Sequence, residues 1–96
     1  MANTLPLEGI RVIEFCHVAA GPFCGMVLAD MGADLIKIEP PDGDGLRAWP
    51  PHSDGFSENF ASINRNKRSI ALDLKTNEDL AIARRLILSA DAVVEN

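Results

Sequence analysis

Residues 11–41, RVIEFCHVAAGPFCGMVLADMGADLIKIEPP, read as a single βαβ unit. Residues 11–16 form a short β-rich run carrying Val12, Ile13 and Phe15. Gly21 and Pro22 then open a helix, because proline suits a first-turn position where its missing N–H would have no partner. Phe23, Met26, Val27 and Asp30 fall at helical spacing, the first three on one apolar stripe. Gly32 closes the helix, since glycine enters the left-handed region without steric cost. Residues 35–39 (LIKIE) are the second strand, stopped by Pro40 and Pro41, which cannot donate to a ladder. This arrangement puts residues 17–21 at the carboxyl end of the first strand, where open α/β sheets hold their ligands.

Residues 1–9 are a lead-in whose Leu5 and Leu7 cover the sheet edge. Residues 42–66 lose periodicity and are rich in Gly, Asp, Pro, Ser and Asn. A connection of that length is functional, disordered or the cover for a short element. Phe56, Phe60 and Ile63 at i, i+4 and i+7 predict helical turns around residues 57–63. Trp49 has no assured partner there: it packs the loop down or meets a surface outside this chain. Residues 69–74 (SIALDL) alternate, with Ile70, Leu72 and Leu74 on one face, as a strand does. Thr76 caps a second helix, with Glu78 and Asp79 at the positive end of its dipole. Leu80, Ala83, Leu86, Ile87 and Ala90 form its apolar stripe, and residues 91–95 (DAVVE) are a last strand. The fold class is therefore α/β: a Rossmann-like βαβ portion of a parallel sheet. Two helices for about four strands make an incomplete domain, since parallel sheets are covered on both faces.

Composition narrows the function. The 96 residues allow one small domain, and the 47% apolar content fits a globular chain. No apolar run approaches the roughly 20 residues that span a bilayer. The first nine residues lack a basic and then apolar leader, so the cytoplasm is the expected compartment. A net charge of −5 argues against a nucleic-acid binder. Arg65, Lys67, Arg68 and Lys75 nevertheless cluster, and such a local patch suits a small anionic ligand; a solvated loop is the plain alternative. Cys16 and Cys24 form neither a metal pattern nor a CxxC motif and read as small buried hydrophobes.

The runs LEGIRVIEF, AGPFCGMVLADMGADLIKIEPPDGDGLR, NRNKRSIALDLKT and ADAVVEN, in this order and spacing, closely resemble the N-terminus of the family III CoA-transferases. That group includes formyl-CoA:oxalate and carnitine CoA-transferases and the related α-methylacyl-CoA racemases. The resemblance covers about residues 5–96. It implies a Rossmann-like large domain, a smaller domain further along, and an interlocked homodimer. The substrates it implies are acyl-CoA and a small carboxylic acid, with no metal. An aspartate would attack the acyl-CoA, giving a mixed anhydride and then an aspartyl-CoA thioester. That aspartate matches none of the fourteen acidic residues here, so no catalytic residue is assigned.

Part of the coenzyme A site does carry over. His17 and Val18 match positions along the pantetheine and thioester end. Leu72 and Lys75 match positions at the nucleotide end, and Asn96 matches one beside the cofactor. Each has a plain alternative: a strand-end histidine, a core leucine, a solvated lysine, a chain-end asparagine. Two departures stand out. Ala19 replaces the glutamine often found in formyl-CoA transferase, and Pro40 replaces an arginine that many members use for the phosphoadenosine end. Arg47 or the group at residues 65–68 would have to supply that charge. Three readings follow: a transferase part, a racemase part using an acid/base pair, or a non-catalytic remnant or CoA-binding module. The form of DGDGLR favours the transferase branch.

Overall fold

Parallel pairing of β1 (Arg11–Phe15) with β2 (Asp34–Glu39) across α1 (Ala20–Asp30) gives the βαβ unit expected from residues 11–41. The computed structural model describes residues 4–96, so the first three residues of the expected lead-in lie outside the described part. After β2 come a 3-10 turn (Gly45–Ala48), a small hairpin of β3 (His52–Ser53) and β4 (Phe56–Ser57), and α2 (Glu58–Ile63). Then follow β5 (Arg68–Ala71), α3 (Asn77–Ser89) and β6 (Ala92–Glu95).

The main sheet has the order β5-β2-β1-β6, all parallel. These are the first four strands of the doubly wound order 3-2-1-4, whose direction of travel reverses between β1 and β6. Right-handed crossovers require α1 and α3 to cover opposite faces. On the α1 face Val12, Ala29, Ala33 and Leu35 form one buried cluster, with Leu7 and Val94 against it. On the α3 face Ile13, Ile36, Ile38, Leu72 and Ala83 form the other, with Phe15, Ile70 and Leu86. Both strand faces are apolar because both are covered.

The helix α1 departs from the expected pattern. It starts at Ala20, after Ala19, which offers no capping side chain; Pro22 therefore sits at its third position, where a missing N–H is still harmless. Its buried residues are Gly21, Pro22, Gly25, Met26 and Ala29, whereas Phe23 and Cys24 are exposed. The reason is the small-residue spacing Gly21, Gly25, Ala29: this face lies so close to the sheet that a Cβ at Gly25 would sit 2.0 Å from Glu14 Oε1. With that small-residue face against the sheet, Phe23, about 200° round the helix from Gly21, points outward. The expectation that both cysteines are interior holds for Cys16 and fails for Cys24.

The strand at residues 69–74 is shorter than its alternation suggests. Leu72 N–H still donates to Glu39 C=O at 2.9 Å, and Asp73 then turns the chain. Its carboxylate accepts from Lys75 N–H at 3.0 Å, and its carbonyl from Thr76 N–H and Oγ1. Leu72 stays in the core and Leu74 becomes exposed. Thr76 caps α3 as expected, accepting from Asp79 N–H at 3.3 Å. The long connection hides short elements: Ser57 Oγ caps α2 through Phe60 N–H at 3.2 Å, and Asp44 caps the 3-10 turn through Leu46 N–H at 2.9 Å.

A crevice at the carboxyl ends of the strands

A crevice of about 750 Å³ opens at the carboxyl ends of β1, β2 and β5. That volume lies within the roughly 300–1,000 Å³ of small-molecule pockets. One wall is the turn after β1 (residues 16–18), a second is the end of β2 with the following loop (residues 39–45), and the third is residues 72–75. Phe15, Ile38 and Leu72 give it an apolar floor.

The crevice brings together His17, Val18, Leu72 and Lys75, four of the five residues singled out from the sequence. The fifth, Asn96, does not line it. Its side-chain amide instead clasps the backbone of His17: His17 N–H donates to Asn96 Oδ1 at 3.2 Å, and Asn96 Nδ2 donates to His17 C=O at 3.2 Å. This clasp extends the β1–β6 pairing one step past the strands, at the point where the sheet reverses direction. Val18 has φ 63°, a left-handed conformation that costs a β-branched residue about 1–3 kcal/mol. Its N–H points toward Asp44 Oδ1 at 3.5 Å.

The electrostatics differ from the expected cationic patch. Arg65 pairs with Asp30 at 2.6 Å, Lys67 with Glu14 at 2.7 Å and Arg68 with Asp34 at 2.7 Å. All three are committed to carboxylates elsewhere, and only Lys75 of the four lines the crevice. Among the described residues Lys75 has no carboxylate partner. Arg47 is also occupied: it grips Glu39 with two bonds of 2.7 Å and lies 3.9 Å over the Phe60 ring. Burial would raise the Glu39 carboxyl, but Arg47, the Ser69 hydroxyl and Asp44 N–H outweigh it and hold the group down at about 2. Neither Arg47 nor the basic residues at 65–68 present an unpaired cation to the crevice.

Beneath the crevice lies a charge cluster that the sequence reading missed. Glu14 and Lys37 are partners in register on adjacent strands and are both fully buried. Lys37 Nζ contacts Glu14 Oε2 at 2.9 Å, Cys16 C=O at 3.0 Å and Asp44 Oδ2 at 3.0 Å. Lys67 Nζ donates to Glu14 Oε1, Pro22 C=O and Asn64 Oδ1 at 2.7–2.8 Å. Burial pushes the Lys67 ammonium below its usual value against the pull of Glu14. Burial, helped by Glu14, pushes the Cys16 thiol up to about 11, which removes it as a nucleophile. The available signal was one charge at the centre of each apolar strand, VIEF and LIKIE. In a sheet covered on both faces such charges must meet inside.

Trp49 is half-exposed and lines a hollow of about 200 Å³ with Val18, Ala19, Leu46 and Ile63, beside the crevice. Among the described residues no group of His, Cys, Asp and Glu is placed to hold a metal ion, and no helix is long and apolar enough to cross a membrane.

The crevice lies at the reversal point of a doubly wound sheet, the position at which α/β proteins of this class hold their ligands. The chain belongs to CoA-transferase family III, whose sequence pattern matches residues 7–96. It is 54% identical to the succinate–glutarate CoA-transferase of Agrobacterium fabrum, over 95% of this chain and 25% of that protein. It is 50% identical to a succinyl-CoA:mesaconate CoA-transferase of Haloarcula hispanica, over 94% of this chain and 24% of that protein. Among solved structures it resembles a CAIB/BAIF family protein from Brucella suis, with TM-score 0.92 and 42% identity over 98% of this chain and 26% of that one. The chain thus spans about a quarter of the length of these relatives.

Proposed function

We propose that this chain is the N-terminal, coenzyme-A-binding part of an enzyme that moves CoA between carboxylic acids. The observation that carries the reading is the crevice, in which four of the five residues matched to the CoA site meet around an apolar floor. Pantetheine lies along Phe15 and Ile38, with the reacting thioester toward His17 and Val18 and the nucleotide end against Leu72. Lys75 meets the phosphates of the nucleotide end, and the N-terminal end of α3 adds the positive pole of its dipole. Asn96 acts through the backbone of His17, fixing the turn against which the thioester rests.

Chemistry follows from a carboxylate supplied by the remainder of the enzyme. It attacks the acyl carbonyl, the C–S bond breaks, and CoA thiolate leaves. The thiolate then attacks the aspartyl carbonyl of the anhydride, releasing the donor acid and leaving an aspartyl-CoA thioester. The acceptor carboxylate repeats the sequence in reverse. The residues described here hold the CoA end in place while the acyl group changes, which turns successive bimolecular steps into positioned ones. The activities of these relatives support succinyl-CoA as donor and small dicarboxylates as acceptors, and they favour transfer over racemisation. The working form is an interlocked homodimer in the cytoplasm.

The test is turnover by the whole protein that carries these residues, given succinyl-CoA and a panel of dicarboxylates. New CoA thioesters read by mass spectrometry support the reading; hydrolysis alone or no reaction refutes it. Lys75→Ala in that protein weakens CoA about tenfold, the loss expected for one exposed charge-assisted contact to phosphate. Unchanged affinity removes Lys75 from the site.

A further inference from the structure

The buried charge cluster has no part in holding CoA as described, yet it touches two of the three walls. Charges this deep are expensive, and a well-packed apolar pair is often as stable. Glu14, Lys37 and Asp44 are 0%, 1% and 2% exposed. Lys37 spends its ammonium on separate elements: Glu14 of β1, the Cys16 carbonyl that leads into the His17–Val18 turn, and Asp44 of the opposite loop. Asp44 in turn accepts from Leu46 N–H at 2.9 Å and Val18 N–H at 3.5 Å through Oδ1. Its Oδ2 accepts no hydrogen bond among the described residues and faces the Lys37 ammonium as an ionic contact. Val18, held at φ 63°, is the strained residue that this arrangement pins from below and across.

We propose that Lys37 and Asp44 are a positioning pair for the crevice, a buried ionic rivet that sets the turn at residues 16–18 against the loop at residues 44–46. Lys37 does not line the crevice; Asp44 does, with its carboxylate turned to Lys37 and to the N–H groups of Leu46 and Val18. It fixes the gap into which the thioester end fits and holds the left-handed turn at Val18 that shapes that end. The proposal rests on the CoA reading of the crevice.

The design of the cluster supplies the test. Lys37 and Asp44 carry opposite charges, and Glu14 with Lys67 forms a second, balanced pair. In the whole protein, single variants Lys37→Met and Asp44→Asn leave an odd buried charge and lose both thermal stability and CoA affinity. The double variant Lys37→Met/Asp44→Asn restores the charge balance, and the carbonyl oxygen of the introduced side-chain amide can still cap the turn. It recovers stability relative to Lys37→Met, but its CoA affinity stays about tenfold or more below wild type. Amide exchange rises at residues 16–18 and 44–46 and not in the sheet.

A double variant that binds CoA within about twofold of wild type overturns the proposal, as does unaltered exchange in those two segments. A double variant that does not fold also overturns it, because the pair would then be serving the fold as a whole. The exchange readout needs no ligand. Wild type that fails to bind CoA refutes the reading of the crevice, and local exchange still judges the rivet.

Discussion

Replacing Gly25 by alanine probes the close contact on which the α1 face depends. A Cβ there would sit 2.0 Å from Glu14 Oε1 and 3.0 Å from Leu35 Cδ1. The carboxylate has to retreat by about 1 Å or more to reach ordinary contact. It cannot do so freely, because Lys67 holds Oε1 at 2.7 Å and Lys37 holds Oε2 at 2.9 Å. Two outcomes compete, and both cost energy. Strained overpacking is worth about 1–3 kcal/mol, and losing one arm of a buried ion pair about 3–5 kcal/mol. Alanine gives back about 1 kcal/mol of helix propensity. Net of that gain, strain alone costs up to about 2 kcal/mol and a broken Lys67 contact about 2–4 kcal/mol. Urea denaturation of the whole protein, followed by circular dichroism, measures it. Gly45→Ala is the control, since a Cβ there meets nothing within 4 Å; it stays within about 0.5 kcal/mol of wild type. If Gly25→Ala is as stable as that control, the contact between α1 and the buried carboxylate is wrong.

Two further outcomes follow from the charges and thiols around the crevice. Glu39 is held at about 2 against an ordinary 4.5, because its hydrogen bonds outweigh burial. A depressed carboxyl contributes stability that is fully present above its unfolded value and is lost as pH falls through the folded one. Wild type should therefore exceed Glu39→Gln by about 3 kcal/mol at pH 7, with the gap shrinking from pH 4.5 toward 2; a gap independent of pH in that window would contradict the Arg47 pairing. Cys16, buried with its thiol pushed up to about 11, stays unalkylated in the native protein at pH 8. Peptide mapping after iodoacetamide treatment checks this, and modification of Cys16 at the rate of a free thiol would count against its burial.

The sequence was informative where one physical force dominates. Strand and helix positions follow from apolar period and from punctuation by Gly32, Pro40 and Thr76. The location of the crevice follows from topology alone, since a βαβ start fixes which strand ends face the ligand. It was less informative where two forces compete. Phe23 has apolar character and helical spacing, but the close approach of Gly21, Gly25 and Ala29 to the sheet turns the opposite side of the helix, where Phe23 lies, outward. Leu74 continues an alternation that the Asp73 turn interrupts. The basic cluster at residues 65–68 counts as a patch only if its partners are unknown; Asp30, Glu14 and Asp34 are distant in sequence and adjacent in space. Asn96 matches a position beside the cofactor, and its side chain clasps the backbone of His17, a pairing too distant in sequence to read from it. Ion pairs between strands are nonlocal, so only the odd placement of Glu14 and Lys37 inside apolar runs hinted at the cluster.

In the proposed enzyme the crevice at the strand ends receives the CoA end of an acyl-CoA. A crystal structure of the whole protein with CoA bound tests this most directly. Pantetheine is expected along Phe15 and Ile38, with the thiol end beside His17 and Val18, the nucleotide end against Leu72 and Lys75 at the phosphates. Coenzyme A ordered at another face, with this crevice empty or filled by the protein's own side chains, would contradict it.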